Sequence, residues 1–158
     1  MDRQVTLEDC SKDGWNLEYV RNQTPELCLA AVKQNGHVLQ FVINQTLEIC
    51  LAAVNSYGEA IQFVEHTKFN NSETMKICLA AVNNDGESLE FIKDKFACLS
   101  HEQIKILCLA AIKQNIEAIE YIDRDFPQFK EICLNNIDDM VYIHSNYYMK
   151  MLNSLYKN

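Results

Sequence analysis

Apolar residues in this chain gather in four nearly identical runs: "LCLAAV" at 27–32, "ICLAAV" at 49–54 and again at 77–82, and "LCLAAI" at 107–112. After a polar interval each run is followed by a shorter apolar stripe, as at Val38, Leu39, Phe41 and Val42. A six-residue apolar run alone fits either a buried strand or a buried helix. The paired alanines decide for helix. Start signals precede the runs. Thr24-Pro25-Glu26 offers an N-cap threonine, a proline at the first helical position and an early acid, and Thr46-Leu47-Glu48 lacks only the proline. Ser100 with Gln103 fits a capping box. Gly36, Gly58 and Gly86 are expected to stop the first helix by adopting positive φ, and Asn115 is expected to take that left-handed position where Ile116 replaces the glycine. The i, i+3, i+4 spacing of the second stripe predicts a second, brief helix.

Four units align without gaps over fifteen positions, from Cys28, Cys50, Cys78 and Cys108. Two degenerate copies flank them: "TLEDCSKDGWNLEYV" from Thr6, anchored on Gly14, and the shortened "CLNNIDDMVYI" from Cys133. The units fall near 6–20, 28–42, 50–64, 78–92, 108–122 and 133–143, and "YYMKMLNSLYKN" reads as a capping helix near 145–156, all within one domain spanning 1–158. The first helix of each unit is apolar on nearly every side, so neighbours must cover it. A pair of helices this short cannot do so alone, but a stack of pairs can. The alanine pairs Ala30-Ala31, Ala52-Ala53, Ala80-Ala81 and Ala110-Ala111 would let units approach closely. Glu8-Asp9 and Asn135-Asn136 replace them at the two ends, as capping repeats require. The expected fold is all-α, a short α-solenoid of about six stacked helix-pair repeats with polar caps at both ends, and those caps favour a monomer.

On these residues, "LCLAAVKQNGHVLQFV" resembles the repeat of the DUF4116 family, a domain of unknown function whose core reads LCLAAVxxNGxALxxV. The likeness is close over 27–122 and poor in both flanks. The resemblance implies tandem repeats of the kind found in giant DNA viruses of amoebae and some intracellular bacteria. It implies a location in the cytoplasm, of the host if viral, or in the virion, and it names no activity. Thr24-Pro25, Ala30-Ala31 and Gly36-His37 are more faintly similar to ankyrin repeats, though the first helix is longer and no projecting β-turn finger is legible.

Composition narrows the chemistry. With 48% hydrophobic and 23% charged residues the chain is a folded protein rather than a disordered one. The net charge of −8 opposes nucleic acid and anionic membrane surfaces as partners. The longest apolar run, 106–112, is far short of the ~18 residues a membrane span needs, and "MDRQVTLEDC" carries no secretion signal. The cysteine ladder of Cys28, Cys50, Cys78, Cys108 and Cys133 reads as small apolar core residues rather than as metal ligands or disulfides. Packed helices lie ~8–10 Å apart, too far for equivalent cysteines to bridge. Cys98 falls outside the repeat and is expected to be exposed. The sequons at Asn22, Asn44 and Asn70 are coincidental in this reading. His37, His66, His101 and His144 have no metal-ligand spacing, Asp138-Asp139 reads as a solvated turn, and no phosphate-cradling loop or nucleophile elbow is present. No enzyme, cofactor or metal is expected. Trp15 either covers the open end of the stack or anchors a partner.

The expected role is a protein–protein interaction scaffold, with an unknown protein partner. The alternative is a minor structural component of a virus particle or larger assembly. Positions two before and five after each cysteine lie seven apart and therefore share one helix stripe. They are Glu26 and Lys33, Glu48 and Asn55, Lys76 and Asn83, and Ile106 and Lys113. The stripe varies while the "CLAA" frame does not, which marks it as the candidate binding face. The long linkers, 65–76 and 93–105 with Phe69 and Phe96, are the next candidates. A thiol count on denatured protein, purified in air without reductant, should find nearly all seven cysteines free. Two or more reproducible bridges would contradict the reducing-compartment reading.

Overall fold

The computed structural model describes residues 5–93, 98–123, 126, 129, 131 and 132. The sixth unit at 133–143, its Asn135-Asn136 pair, the capping helix near 145–156 and Phe96 lie outside the described residues. Every regular element among those described is helical. The α-helices are α1 (Leu7–Lys12), α2 (Pro25–Gln34), α3 (Leu47–Ser56), α4 (Asn71–Asn84), α5 (Leu89–Lys93) and α6 (His101–Gln114). Each of α1, α2, α3, α4 and α6 packs on the next, forming one layer. The second elements form the other layer: the 3-10 helices η1 (Gly14–Tyr19), η2 (Gly36–Phe41), η3 (Gly58–Phe63), η5 (Gly86–Ser88) and η6 (Ile116–Tyr121) also pack each on the next. A short η4 (His66–Lys68) lies between units. The described part of the chain is all-α, as its pattern predicts.

Helix starts follow the sequence signals. Thr24 and Thr46 accept from the N–H groups of Leu27 and Ile49, and Ser100 forms a full capping box with Gln103. Two further capping boxes, Thr6 with Asp9 and Asn70 with Glu73, were not singled out in the sequence. Because α4 and α6 start at Asn71 and His101, much of the two expected linkers is an extra helical turn, and α4 and α6 run to 14 residues against 10 in α2 and α3.

The second element is a 3-10 helix rather than an α-helix in the clearest units, and burial shows why. Gly36, Leu39 and Val42 are buried, as are Gly58, Ile61 and Val64, while 40 and 43 are exposed and 37 is half-buried. That is a period of three, the 3-10 repeat, so glycine and two aliphatic residues form one inward column. The i, i+3, i+4 stripe read in the sequence is this column's two aliphatic residues plus a second inward pair, fully buried Val38 with half-buried Phe41, or Ala60 with Phe63.

The glycines do not act as expected. No described residue has positive φ, and Asn115 has φ of −144°. The residue before each glycine is extended, and Asp13, Asn35, Asp85 and Asn115 each accept the N–H two residues on, so the side chain makes the turn. Glycine is needed for close approach instead. A Cβ on Gly14 would stand 2.6 Å from the carbonyl oxygen of Ala31, and on Gly86 2.6 Å from that of Ala111. Gly36 and Gly58 meet Ala53 and Ala81 in the same way.

The alanine pair also divides. Ala31, Ala53, Ala81 and Ala111 are fully buried under the preceding unit's glycine, whereas Ala30, Ala52, Ala80 and Ala110 are only half-buried. Close approach is the work of the second alanine alone. Ala81→Leu should therefore cost ~1–3 kcal/mol by overpacking, and Ala80→Leu less than ~0.5 kcal/mol. Denaturant midpoints of the two variants decide, and equal losses would contradict the division.

Candidate interaction surface

The outer face of the α layer carries the stripe. Glu26, Lys33, Glu48, Asn55, Lys76, Asn83 and Lys113 are all exposed, and Ile106, the apolar member, is 45% exposed. Two open grooves run between helices on this face. One, of about 600 Å³ between α1 and α2, has Leu29 and Ala30 as its floor and Glu26, Lys33 and Gln34 on its walls, with Leu7 and Ser11 opposite. The other, of about 540 Å³ between α3 and α4, has Leu79 and Ala80 as floor and Asn55, Lys76, Asn83 and Asn84 around it. The structure thus gathers five of the stripe residues around two apolar floors. Glu48 and Lys113 line neither groove. Glu26 sits in the first turn of α2, and its carboxyl is held below the ordinary range by a backbone N–H and then by the Thr24 hydroxyl.

What fixes the spacing of this surface is a set of side-chain amides. The residue six after the repeat cysteine reaches back to the previous unit. Gln34, Asn84 and Gln114 accept the N–H of Gly14, Gly58 and Gly86 at 2.9, 2.8 and 2.7 Å. Asn84 also donates to the Asn55 carbonyl and Gln114 to the Asn84 carbonyl. These bonds satisfy a carbonyl at the end of one helix and the first N–H of the 3-10 turn after it, groups that helix ends otherwise leave unpaired. Ser56, too short to reach, donates to the Lys33 carbonyl instead. The signal was present in the alignment, where position +6 is always an amide or a hydroxyl.

A second amide closes the second and third units on themselves. Gln23 donates to the Phe41 carbonyl at 2.7 Å and accepts from Ile43 N–H at 2.9 Å; Gln45 does the same with Phe63 and Glu65. The repeat cysteine belongs to this bond set, since Cys28 and Cys50 donate their thiols to the same glutamine oxygens. Two sequons are explained as well. In Asn22-Gln23-Thr24 and Asn44-Gln45-Thr46 the glutamine ties the unit and the threonine caps its helix.

Cys10, Cys28, Cys50, Cys78 and Cys108 are buried and free, and Cys98 is exposed. Burial pushes the thiols of Cys50, Cys78 and Cys108 up to about 12, so they are protonated and unreactive near neutrality. Trp15 is 43% exposed and packs edge-on against Phe41 of the next unit, at 5.7 Å between ring centres. Phe69, in the first of the long linkers, is half-buried and packs against the core. Thr74 and Ser88 keep buried hydroxyls with no partner. Among the described residues no three His, Cys, Asp or Glu side chains converge as a metal site, and no helix is long and apolar enough to cross a membrane.

Residues 24–69, which hold the second and third units, match the family model described as a domain of unknown function (DUF4116). No curated protein and no solved structure matches the chain.

The buried thiols set an alkaline limit. Each has its pKa raised from 9.0 to about 12 on folding. Between those values the unfolded chain gives up these protons and the folded chain keeps them, so stability falls as pH rises through that window. Urea midpoints at about pH 8 and about pH 10.5 should show this loss, and Cys78→Ala should show less of it. An identical pH dependence in the variant would contradict burial as the cause.

Proposed function

We propose that this chain is a protein-interaction scaffold without catalytic activity, a short α-solenoid whose stacked units offer their outer helical face to a protein partner. The observation that carries this reading is the division of labour within the repeat. The invariant positions are consumed by packing and by the amide bonds between units. The variable ones, Glu26, Lys33, Asn55, Lys76 and Asn83, stand exposed around apolar floors. Polar walls over an apolar floor suit a protein surface. Non-catalytic action is supported by the chemistry at hand, because the buried thiols are protonated and the groove walls hold isolated charges rather than a hydrogen-bonded acid–base pair. The family resemblance adds a setting, a host cytoplasm or a virus particle.

Capture of the partner from the native source, before and after particle disruption, distinguishes a free scaffold from a minor particle component. With the partner in hand, Lys33→Glu combined with Lys113→Glu should weaken binding at least ~tenfold while leaving the thermal midpoint nearly unchanged. Unchanged affinity would remove the α-layer face from the reading.

A further inference from the structure

The repeat has two kinds of helix start, and one unit carries the residues for both. In the second and third units the cap lies four residues before the repeat cysteine, at Thr24 and Thr46, whose hydroxyls accept from the N–H groups of Leu27 and Ile49. In the fourth and fifth units it lies eight residues before, at Asn70 and Ser100, each closed by a capping box with Glu73 or Gln103. The fourth unit also keeps a threonine at the nearer place. Thr74 stands four residues before Cys78, with Ile77 three residues on, the same spacing that Thr24 and Thr46 use. In the fifth unit that place is Ile104, a partly buried side chain packed against the core, which has no oxygen to cap with.

Thr74 is poorly suited to the place it occupies. It lies inside α4, fully buried, and its hydroxyl has no hydrogen-bond partner. A buried hydroxyl left unpaired destabilises the state that holds it. The rest of the added turn contributes little burial, because Asn71 and Ser72 are exposed and Glu73 is half-buried. What holds the turn is the capping box together with the Asn71 side chain, which accepts from Gln103 at 3.1 Å and donates to the Cys98 carbonyl at 3.5 Å. Charge also weighs between the two starts. Counted from a cap at Thr74, the second helical position is Lys76, where α2 and α3 place Glu26 and Glu48. A cation there meets the positive end of the helix, so Lys76 disfavours the nearer start, while Glu73 favours the farther one.

We infer that α4 is a two-state element whose first turn, 71–74, unwinds to a nearer start at which Thr74 caps the helix. In that state the Thr74 hydroxyl accepts the N–H of Ile77 and reaches solvent, as Thr24 and Thr46 do. The orphaned hydroxyl is satisfied, and the capping box and both Asn71 bonds are lost. Those two bonds tie the start of α4 to Cys98 and to Gln103 in the first turn of α6. The Gly58–Ala81 and Gly86–Ala111 contacts lie in the C-terminal halves of the same helices. The exchange therefore releases one edge of the join between the fourth and fifth units and leaves the pitch at the other edge fixed, which makes this join a hinge. The fifth unit, with Ile104 in place of the threonine, has the farther start alone.

The test is NMR on the whole chain, in which Thr24 and Thr46 serve as internal references for a capping threonine. Asn70→Ala removes the farther cap. The Cα and Cβ shifts of Thr74 should then move from helical values toward those of Thr24 and Thr46. Amide exchange at Thr74, Met75 and Lys76 should quicken about fivefold or more, while Ile77 and Cys78 keep their protection. Adding Thr74→Ala should expose the Ile77 amide as well. Lys76→Glu, which leaves both caps in place, should quicken exchange at the same three amides. Thr74 shifts that stay helical in Asn70→Ala overturn the inference. So do shifts that move to unstructured values with Ile77 unprotected, the mark of plain fraying, and so does unchanged exchange in Lys76→Glu.

Discussion

The approach of a glycine to a neighbouring carbonyl is the constraint on which this structure depends. The carbonyl oxygen of Ala31 already accepts the Asn35 N–H that ends α2, and Gly14 of the preceding unit lies against the same oxygen. Any side chain on the glycine would push the two units apart, and with them the interdigitated aliphatic columns behind. A larger residue than alanine would do the same from the other side. Two small residues in successive units, as Gly14 with Ala31 and Gly86 with Ala111, thus set the pitch of both layers at once. The amides of Gln34, Asn84 and Gln114 then hold that pitch by pairing the backbone groups that the close contact leaves without helix partners. The contact is steric and the amide is directional, so together they fix distance and register.

Ile116 stands where the glycine does in the preceding four units. Its Cβ could not lie against a carbonyl at such a distance, so the glycine–alanine contact ends with the pair Gly86 and Ala111 among the described units. At the opposite end, Asp9 takes the second-alanine position and spends its carboxylate on the capping box with Thr6, while Asn16 donates to the Asp9 carbonyl at 3.0 Å. The carbonyl that inner units offer to a preceding glycine is here closed by a side chain of the same unit. In the first unit the acid pair therefore changes where one oxygen finds its partner, as well as replacing apolar residues with polar ones.

Much of this was legible in the sequence, and the failures have a common physical root. The helix starts at Thr24, Thr46 and Ser100 and the exposure of the stripe follow from local pattern, because periodicity and capping are properties of a few adjacent residues. The glycine was misread because its neighbours were taken to be its own helix end. In fact Asn35 makes the turn and Gly36 answers to Ala53, a residue of the next unit. The 3-10 period was misread because Val38, Leu39, Phe41 and Val42 satisfy an α-helical stripe as well, and only the inclusion of Gly36 in the buried column reveals the threefold repeat. Gln23 and Gln45 were passed over as polar filler. A long-range bond to a backbone group leaves no local signature, and only the constant offset from the cysteine could have betrayed it.

Once packing has claimed its positions, two sets of residues remain free to vary: the α-layer stripe and the outward column of the 3-10 layer. They differ in kind. The stripe alternates acids, amides and lysines around apolar floors, and its charges lie a full seven residues apart along each helix. The outward column carries its side chains at every third residue beside a line of rings, and acids are frequent in it from the third unit on, as at Glu59, Glu87 and Glu117. Charge on the stripe is matched locally, one groove at a time, whereas acids of the column are partly matched within the fold, as Glu65 is by Lys68 and Glu87 by Asn115. A repeat that holds backbone geometry constant lets each layer be written separately, since a change at Glu120 alters neither the glycine contact nor the amide that fixes it. The net charge of −8 is then best understood as the sum of two unlike surfaces carried on one frame.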